Sequence, residues 1–143
     1  TRGSRAMKRI IIGITGATGT IYGWRLMELL RSEGQTEIHL VMSPSAKLTL
    51  KMEHDVELER ISSLAHEVHA PGNIGAAISS GSFFSEGMII APCSIKTMSN
   101  IAMGNTGDLI TRAADVILKE RRKLVVAVRR HRCMRGIWRA CQS

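Results

Sequence analysis

The feature that most limits how this chain can fold is its first apolar run, Lys8-Arg-Ile-Ile-Ile-Gly-Ile14, which passes directly into Thr15-Gly-Ala-Thr-Gly19 and then into a segment of helical period. A β-branched run without polar alternation fits a strand covered on both faces, and such strands belong to parallel sheets. From Ile21 to Leu30 the spacing of Leu26, Leu29 and Leu30 predicts a helix, which Gly34 ends. Glu37-Ile-His-Leu-Val-Met42 predicts a second strand and closes a β-turn-α-β unit.

The same alternation continues along the chain. Ser43-Pro44-Ser45 leads into a helical stretch from Ala46 to Met52, and Val56 to Ala65 predicts another helix on Val56, Leu58, Ile61 and Leu64. Ala70 to Ser85 is rich in Gly, Ala and Ser and has no period, so a long loop is expected, of a kind that is usually functional or mobile. Gly87-Met-Ile-Ile-Ala91 predicts a third buried strand, Ser94 to Met103 and Leu109 to Arg122 two helices, and Lys123 to Val128 a fourth strand. Strands alternating with helices predict an α/β domain built on a doubly wound parallel sheet. At 143 residues, with no internal repeat or low-complexity linker, one domain is expected.

The net charge of +8 suggests nucleic acid until it is located. Between Met7 and Val128 thirteen Lys and Arg face twelve Asp and Glu, a balance of only +1. The excess lies at the ends. Arg2 and Arg5 sit in residues 1–6, which read as a vector-derived remnant before Met7. Arg129, Arg130, Arg132, Arg135 and Arg139 sit in a final stretch without acid. A basic tail can bind phosphate backbones nonspecifically, but aromatic content of 3% argues against recognition by base stacking. No apolar run is long enough to cross a bilayer and no secretory leader opens the sequence, so a cytoplasmic protein is expected. Cys93, Cys133 and Cys141 form no CxxC pair, which suggests neither a disulfide framework nor a zinc site; Cys93, after a strand, reads as a small buried residue.

Four segments can carry chemistry. Gly13-Ile-Thr-Gly-Ala-Thr-Gly19 is a Gly-rich strand-to-helix turn whose backbone N–H groups and helix dipole favour phosphate, with Thr18 as an added hydroxyl donor. Its spacing is neither the dinucleotide fingerprint nor a Walker loop, and alone it is equally a packing solution. Ser43 ends the second strand, where open α/β sheets bind ligands, although Ser-Pro-Ser is also a capping sequence. Pro92-Cys-Ser-Ile-Lys-Thr97 again follows a strand and opens a helix, with Ser94 and Thr97 three apart on one side of the first turn. Three strands that all end in hydroxyl-rich turns favour a shared polar pocket over three separate caps. In Asp108 to Arg122, Arg112 and Lys119 are seven apart on one helix face with Asp115 between them, which taken alone is a solvated helix with ion pairs. Glu53 and His54 are unremarkable by spacing.

Taken together, Thr15-Gly-Ala-Thr-Gly19, Ala91-Pro-Cys-Ser94 and Ile110-Thr-Arg-Ala-Ala-Asp-Val-Ile-Leu-Lys-Glu-Arg-Arg122 resemble the flavin prenyltransferase family, the UbiX-like proteins, with its phenylacrylic acid decarboxylase-associated branch. The likeness runs from about Met7 to Arg129, so residues 7–129 are read as an FMN-binding domain. It implies a flavodoxin-like or Rossmann-like domain of three αβα layers, often assembled as a dodecamer. It also implies transfer of a dimethylallyl group from dimethylallyl phosphate to reduced FMN, with prenylated FMN as the product used by a UbiD-type decarboxylase. No metal is expected for the transfer.

Position by position, the resemblance implies that Gly16, Ala17, Thr18, Ser43, Ser94, Thr97 and Arg129 hold the FMN. Glu53 would be the carboxylate near the reacting flavin, and Arg112 and Lys119 would meet the prenyl phosphate. The sequence departs from the family after Arg129: residues 130–143 have no hydrophobic period and resemble translation in a shifted reading frame. The expected C-terminal contribution to the prenyl phosphate site is missing from that stretch. The alternatives to a prenyltransferase are an FMN-dependent aromatic acid decarboxylase and a non-catalytic FMN-binding module.

Overall fold

A computed structural model of the chain describes residues 8–16, 20–54 and 58–128. In chain order these form β1 (Lys8–Ile14), α1 (Thr20–Glu33), β2 (Thr36–Met42), α2 (Pro44–His54), α3 (Leu58–Ser62), β3 (Glu67–His69), a short 3-10 turn (Ala77–Ser79), β4 (Gly87–Ile90), α4 (Ile95–Met103), α5 (Leu109–Lys119) and β5 (Lys123–Val126). The five strands make one sheet in the order β3-β2-β1-β4-β5, with every neighbouring pair parallel. The doubly wound sheet expected from the alternation of elements is what forms.

Alternation along each strand divides the core between two faces. Ile12 and Ile14 of β1 and Ile38, Leu40 and Met42 of β2 pack with Met27 of α1, Ala46 and Leu50 of α2 and Ile61 of α3. On the other face Ile11, Val41, Met88 and Ile90 pack with Met98 of α4 and with Leu109, Ile110, Ala113, Ala114 and Ile117 of α5. Both faces of β1 and β2 are therefore covered, which is why Ile10 to Ile14 and Leu40 to Met42 show no polar alternation. Gly34 ends α1 as expected, with a left-handed φ of 75° that a side chain rarely adopts.

Two expectations are corrected. The helix expected over Val56 to Ala65 is a single short one, α3, because two turns Ser63-Leu64 and the bend after them lead back to the sheet, where His66 N–H bonds the Ile38 carbonyl at 2.9 Å. A fifth strand, β3, then pairs with β2 on only three residues. The stretch from Ala70 to Ser85 is not structureless, since it holds the 3-10 turn and packs Ala76 and Ile78 into the α5 side of the core. Burial is the main reason that the pKa of His69, at the end of β3, lies below the ordinary imidazole value; Glu67 opposes the shift and His39 adds to it.

Helix α5 starts with a complete capping box. Asp108 Oδ1 accepts from Thr111 N–H at 2.8 Å, and Thr111 Oγ1 accepts from Asp108 N–H at 3.3 Å. Asp108→Ala should cost about 1–2 kcal/mol of stability in urea unfolding, and Asp108→Asn, which can still cap, clearly less. Equal losses in the two variants would mean that the cap contributes nothing.

Candidate functional site

The strand order reverses direction at β1: the chain moves outward from β1 to β2 and β3, then returns to the other side of β1 for β4 and β5. A crevice opens at such a switch point beyond the carboxyl ends of the strands. Here the turn after β1 and the turn after β4 flank that point, and the Thr15 side chain joins them. Thr15, only 2% exposed, donates its backbone N–H to the Pro92 carbonyl at 3.2 Å and its hydroxyl to the same carbonyl at 2.8 Å. Its Oγ1 in turn accepts the Ser94 N–H at 2.8 Å. The Ala91–Pro92 peptide within this turn is cis.

On the β4 side Ser94 caps α4. Its Oγ accepts from Thr97 N–H at 3.2 Å and donates to Thr97 Oγ1 at 3.0 Å. The N–H groups of Ile95 and Lys96, in the first turn, have no intrahelical acceptor and stand at the positive end of the helix dipole. On the β2 side Ser43 N–H bonds the Ile14 carbonyl at 2.9 Å, and Ser43 Oγ accepts from Ala46 N–H at 3.1 Å and lies 3.2 Å from Ser45 Oγ. Gly16 packs against Ser45 on the β2 side. A Cβ at Gly16 would come within 2.5 Å of Ser45 Cβ and 3.1 Å of the Ser45 carbonyl carbon, so only glycine lets the β1 turn lie this close to the start of α2.

The structure thus brings Gly16, Ser43, Ser94 and Thr97 to one edge of the sheet. Ala17, Thr18 and Arg129 lie outside the described residues, as do residues 1–6 and 130–143. Glu53 is in the last turn of α2, and its side chain is likewise outside the description. Arg112 is in the first turn of α5, whose start is tied to the segment beyond β3 by a 3.0 Å bond from Leu109 N–H to the Pro71 carbonyl. Its Nε is buried and has no hydrogen-bond partner among the described residues. Lys119 is not brought to the same edge. Seven residues further along α5, about 10 Å at 1.5 Å per residue, it lies toward the amino ends of the strands, 72% exposed and paired with Asp115 at 2.9 Å.

Thr15 and Ser45 were not singled out by the sequence reading as site residues. A polar side chain placed directly after a fully apolar strand was the available signal for Thr15. Thr15→Val keeps the shape but strands the Ser94 N–H, and about 1–3 kcal/mol should be lost in urea unfolding. Thr15→Ser should recover most of it; a Thr15→Val protein as stable as the parent would show that the bridge is dispensable.

The model of the family described as Flavoprotein matches residues 1–139. The flavin prenyltransferase UbiX of Escherichia coli K12 is 54% identical over 123 residues, 86% of this chain, and the chain spans 65% of that relative's length. Two solved structures superpose with a TM-score of 0.88 at 42% identity over 94% of this chain. One is AnUbiX (PadA1) in complex with FMN and dimethylallyl pyrophosphate, 71% of which is covered. The other is a dodecameric FMN-dependent UbiX-like decarboxylase from Escherichia coli O157:H7, 73% of which is covered. On the family model and these identities together, the chain belongs to the Flavoprotein family, on its UbiX-like branch.

Proposed function

We propose that this chain binds FMN at the carboxyl edge of β1, β2 and β4 and acts as a flavin prenyltransferase. It would transfer a dimethylallyl group from dimethylallyl phosphate to reduced FMN and so supply a UbiD-type decarboxylase. The observation that carries the reading is the Thr15 bridge, which fixes two hydroxyl-bearing turns on either side of the topological switch point.

The residues present fit FMN. The free N–H groups of Ile95 and Lys96 at the start of α4 suit its phosphate, and the Ser43, Ser45, Ser94 and Thr97 hydroxyls suit the phosphate oxygens and the ribityl chain. Gly16 lets the turn after β1 pack on the start of α2, which keeps Ser43 and Ser45 beside that turn. When bound in its reduced form, FMN supplies the ring to which the prenyl group becomes attached. Arg112, whose buried Nε has no partner among the described residues, is suited to an anion, and a fixed cation stabilises the charge that grows on phosphate as an allylic C–O bond breaks. Glu53 would take up the proton released as the new ring closes. Lys119 would serve the phosphate of a neighbouring copy in an assembly like the dodecameric relative, since within one chain it faces the other end of the sheet.

Among the described residues no helix is long and apolar enough to cross a membrane, and chemistry on soluble phosphate esters fits the cytoplasm. Anaerobic incubation with reduced FMN and dimethylallyl phosphate or pyrophosphate tests the proposal. A changed flavin spectrum and a heavier extracted flavin are expected. Bound but unaltered FMN would leave a binding module, and release of CO2 from phenylacrylic acid without a partner would favour a decarboxylase.

A further inference from the structure

Two neighbouring strands carry the same pattern, offset by two residues. Glu37-x-His39 on β2 faces Glu67-x-His69 on β3, with His39 paired to Glu67 and Val41 to His69. A period of two puts each Glu and its His on one sheet face. His39 and His69 are both buried, their rings stacked with centroids 5.4 Å apart, and Phe83 meets His39 edge-on at 5.0 Å. Their orientations are therefore fixed by packing. His39 Nδ1 lies 3.1 Å from His69 Nε2 and 3.6 Å from Glu67 Oε2, and the three ligand atoms all fall within 4.8 Å of one another.

We propose that His39, His69 and Glu67 bind a divalent transition-metal ion of the Zn2+ class, with the fourth position open to water. Bonds of about 2.0–2.2 Å to a tetrahedral ion separate ligand atoms by about 3.3–3.6 Å, close to two of the distances already present. The third closes by rotation of Glu67, which is 61% exposed and marks the side from which an ion enters. The outer contact is also in place. His39 Nε2–H donates to Glu37 Oε1 at 2.7 Å, and Glu37 is itself held by Arg9 at 3.5 Å. A carboxylate behind a ligating imidazole fixes its tautomer and raises its basicity. In the neutral ring that hydrogen bond puts the lone pair on His39 Nδ1, the atom that faces His69 Nε2 at 3.1 Å, and an ion would take the place of that contact.

Chemically, two imidazoles and one carboxylate suit Zn2+ better than Mg2+ or Ca2+, which prefer all-oxygen sites. The ion would join the three-residue edge strand β3 to β2. It uses none of the flavin-site residues, because His39 and Glu67 lie on the sheet face and Ser43 turns instead to the start of α2.

The test uses the full chain, stripped with chelator, titrated with Zn2+ by calorimetry and with Co2+ by visible absorption. Expected are one equivalent per chain, the d–d bands of a tetrahedral Co2+ site without thiolate charge-transfer absorption, and a higher Tm with Zn2+. Glu67→Gln, at an exposed position, and Glu37→Gln should each weaken binding about 10–100-fold. Replacing His131, Cys133 and Cys141 together should leave affinity unchanged. Absence of saturable binding, binding indifferent to Glu67→Gln, or binding lost with the three tail residues would each overturn the proposal.

Discussion

Gly16→Val is expected to give a folded protein that no longer retains flavin, with FMN affinity at least about 100-fold weaker, or about 2.7 kcal/mol. The reason is steric. The new side chain would have to occupy space now filled by the Ser45 side chain, and the nearest backbone atom, the Ser45 carbonyl carbon, cannot move without shifting the start of α2. Relief by separating the β1 turn from α2 pulls Ser43 and Ser45 away from the crevice. The strands themselves are not touched, so unfolding should remain cooperative. Fluorescence titration of apo-protein with FMN measures the effect, and an affinity within threefold of the parent would remove Gly16 from the site.

Arg112→Gln should lower kcat of prenyl transfer by about 10²–10³, the usual loss when one fixed donor to a developing oxyanion is removed. FMN binding should stay within threefold, because Arg112 is assigned to the prenyl phosphate and not to the flavin. Its position makes the substitution informative: Nε is buried without an acceptor among the described residues, so no existing hydrogen bond to Nε is broken. Arg112→Lys keeps the charge but not the planar fork, and should recover only part of the rate. Single-turnover kinetics separate this from product release. A kcat unchanged within threefold would reassign the residue to structure.

The strands that were legible in the sequence, β1, β2, β4 and β5, are those whose apolar runs are continuous or nearly so. β3 escaped because Glu67 and Val68 are exposed and only three residues pair, too few for any period to show. The caps were legible as well: Ser43 and Ser94 do accept backbone N–H groups at the starts of α2 and α4. What spacing could not show is that Thr15 joins the second of these caps to β1, since its partners Pro92 and Ser94 are 77 and 79 residues away. Helical spacing likewise put Arg112 and Lys119 on one face correctly, yet a face says nothing about depth along the axis. The Asp115–Lys119 pair, the plainer reading of that helix, is what forms within the chain. The histidine cluster has its own mark in the sequence, Glu-x-His occurring twice, but thirty residues separate the two copies and only strand pairing brings them together.

The Thr15 bridge also dates the crevice in the life of the chain. Bonds that span 77 and 79 residues cannot close until β4 has been made and added to β1, and contacts of such long range form late relative to local helices and turns. A nascent chain emerging from the ribosome has no place for flavin until Ser94 has cleared the exit and the second crossover has packed down. On the proposed reading, flavin would meet a finished sheet and guide no early step of its assembly. It should leave the refolding rate largely unchanged while prolonging the native lifetime, as a ligand of the native state does.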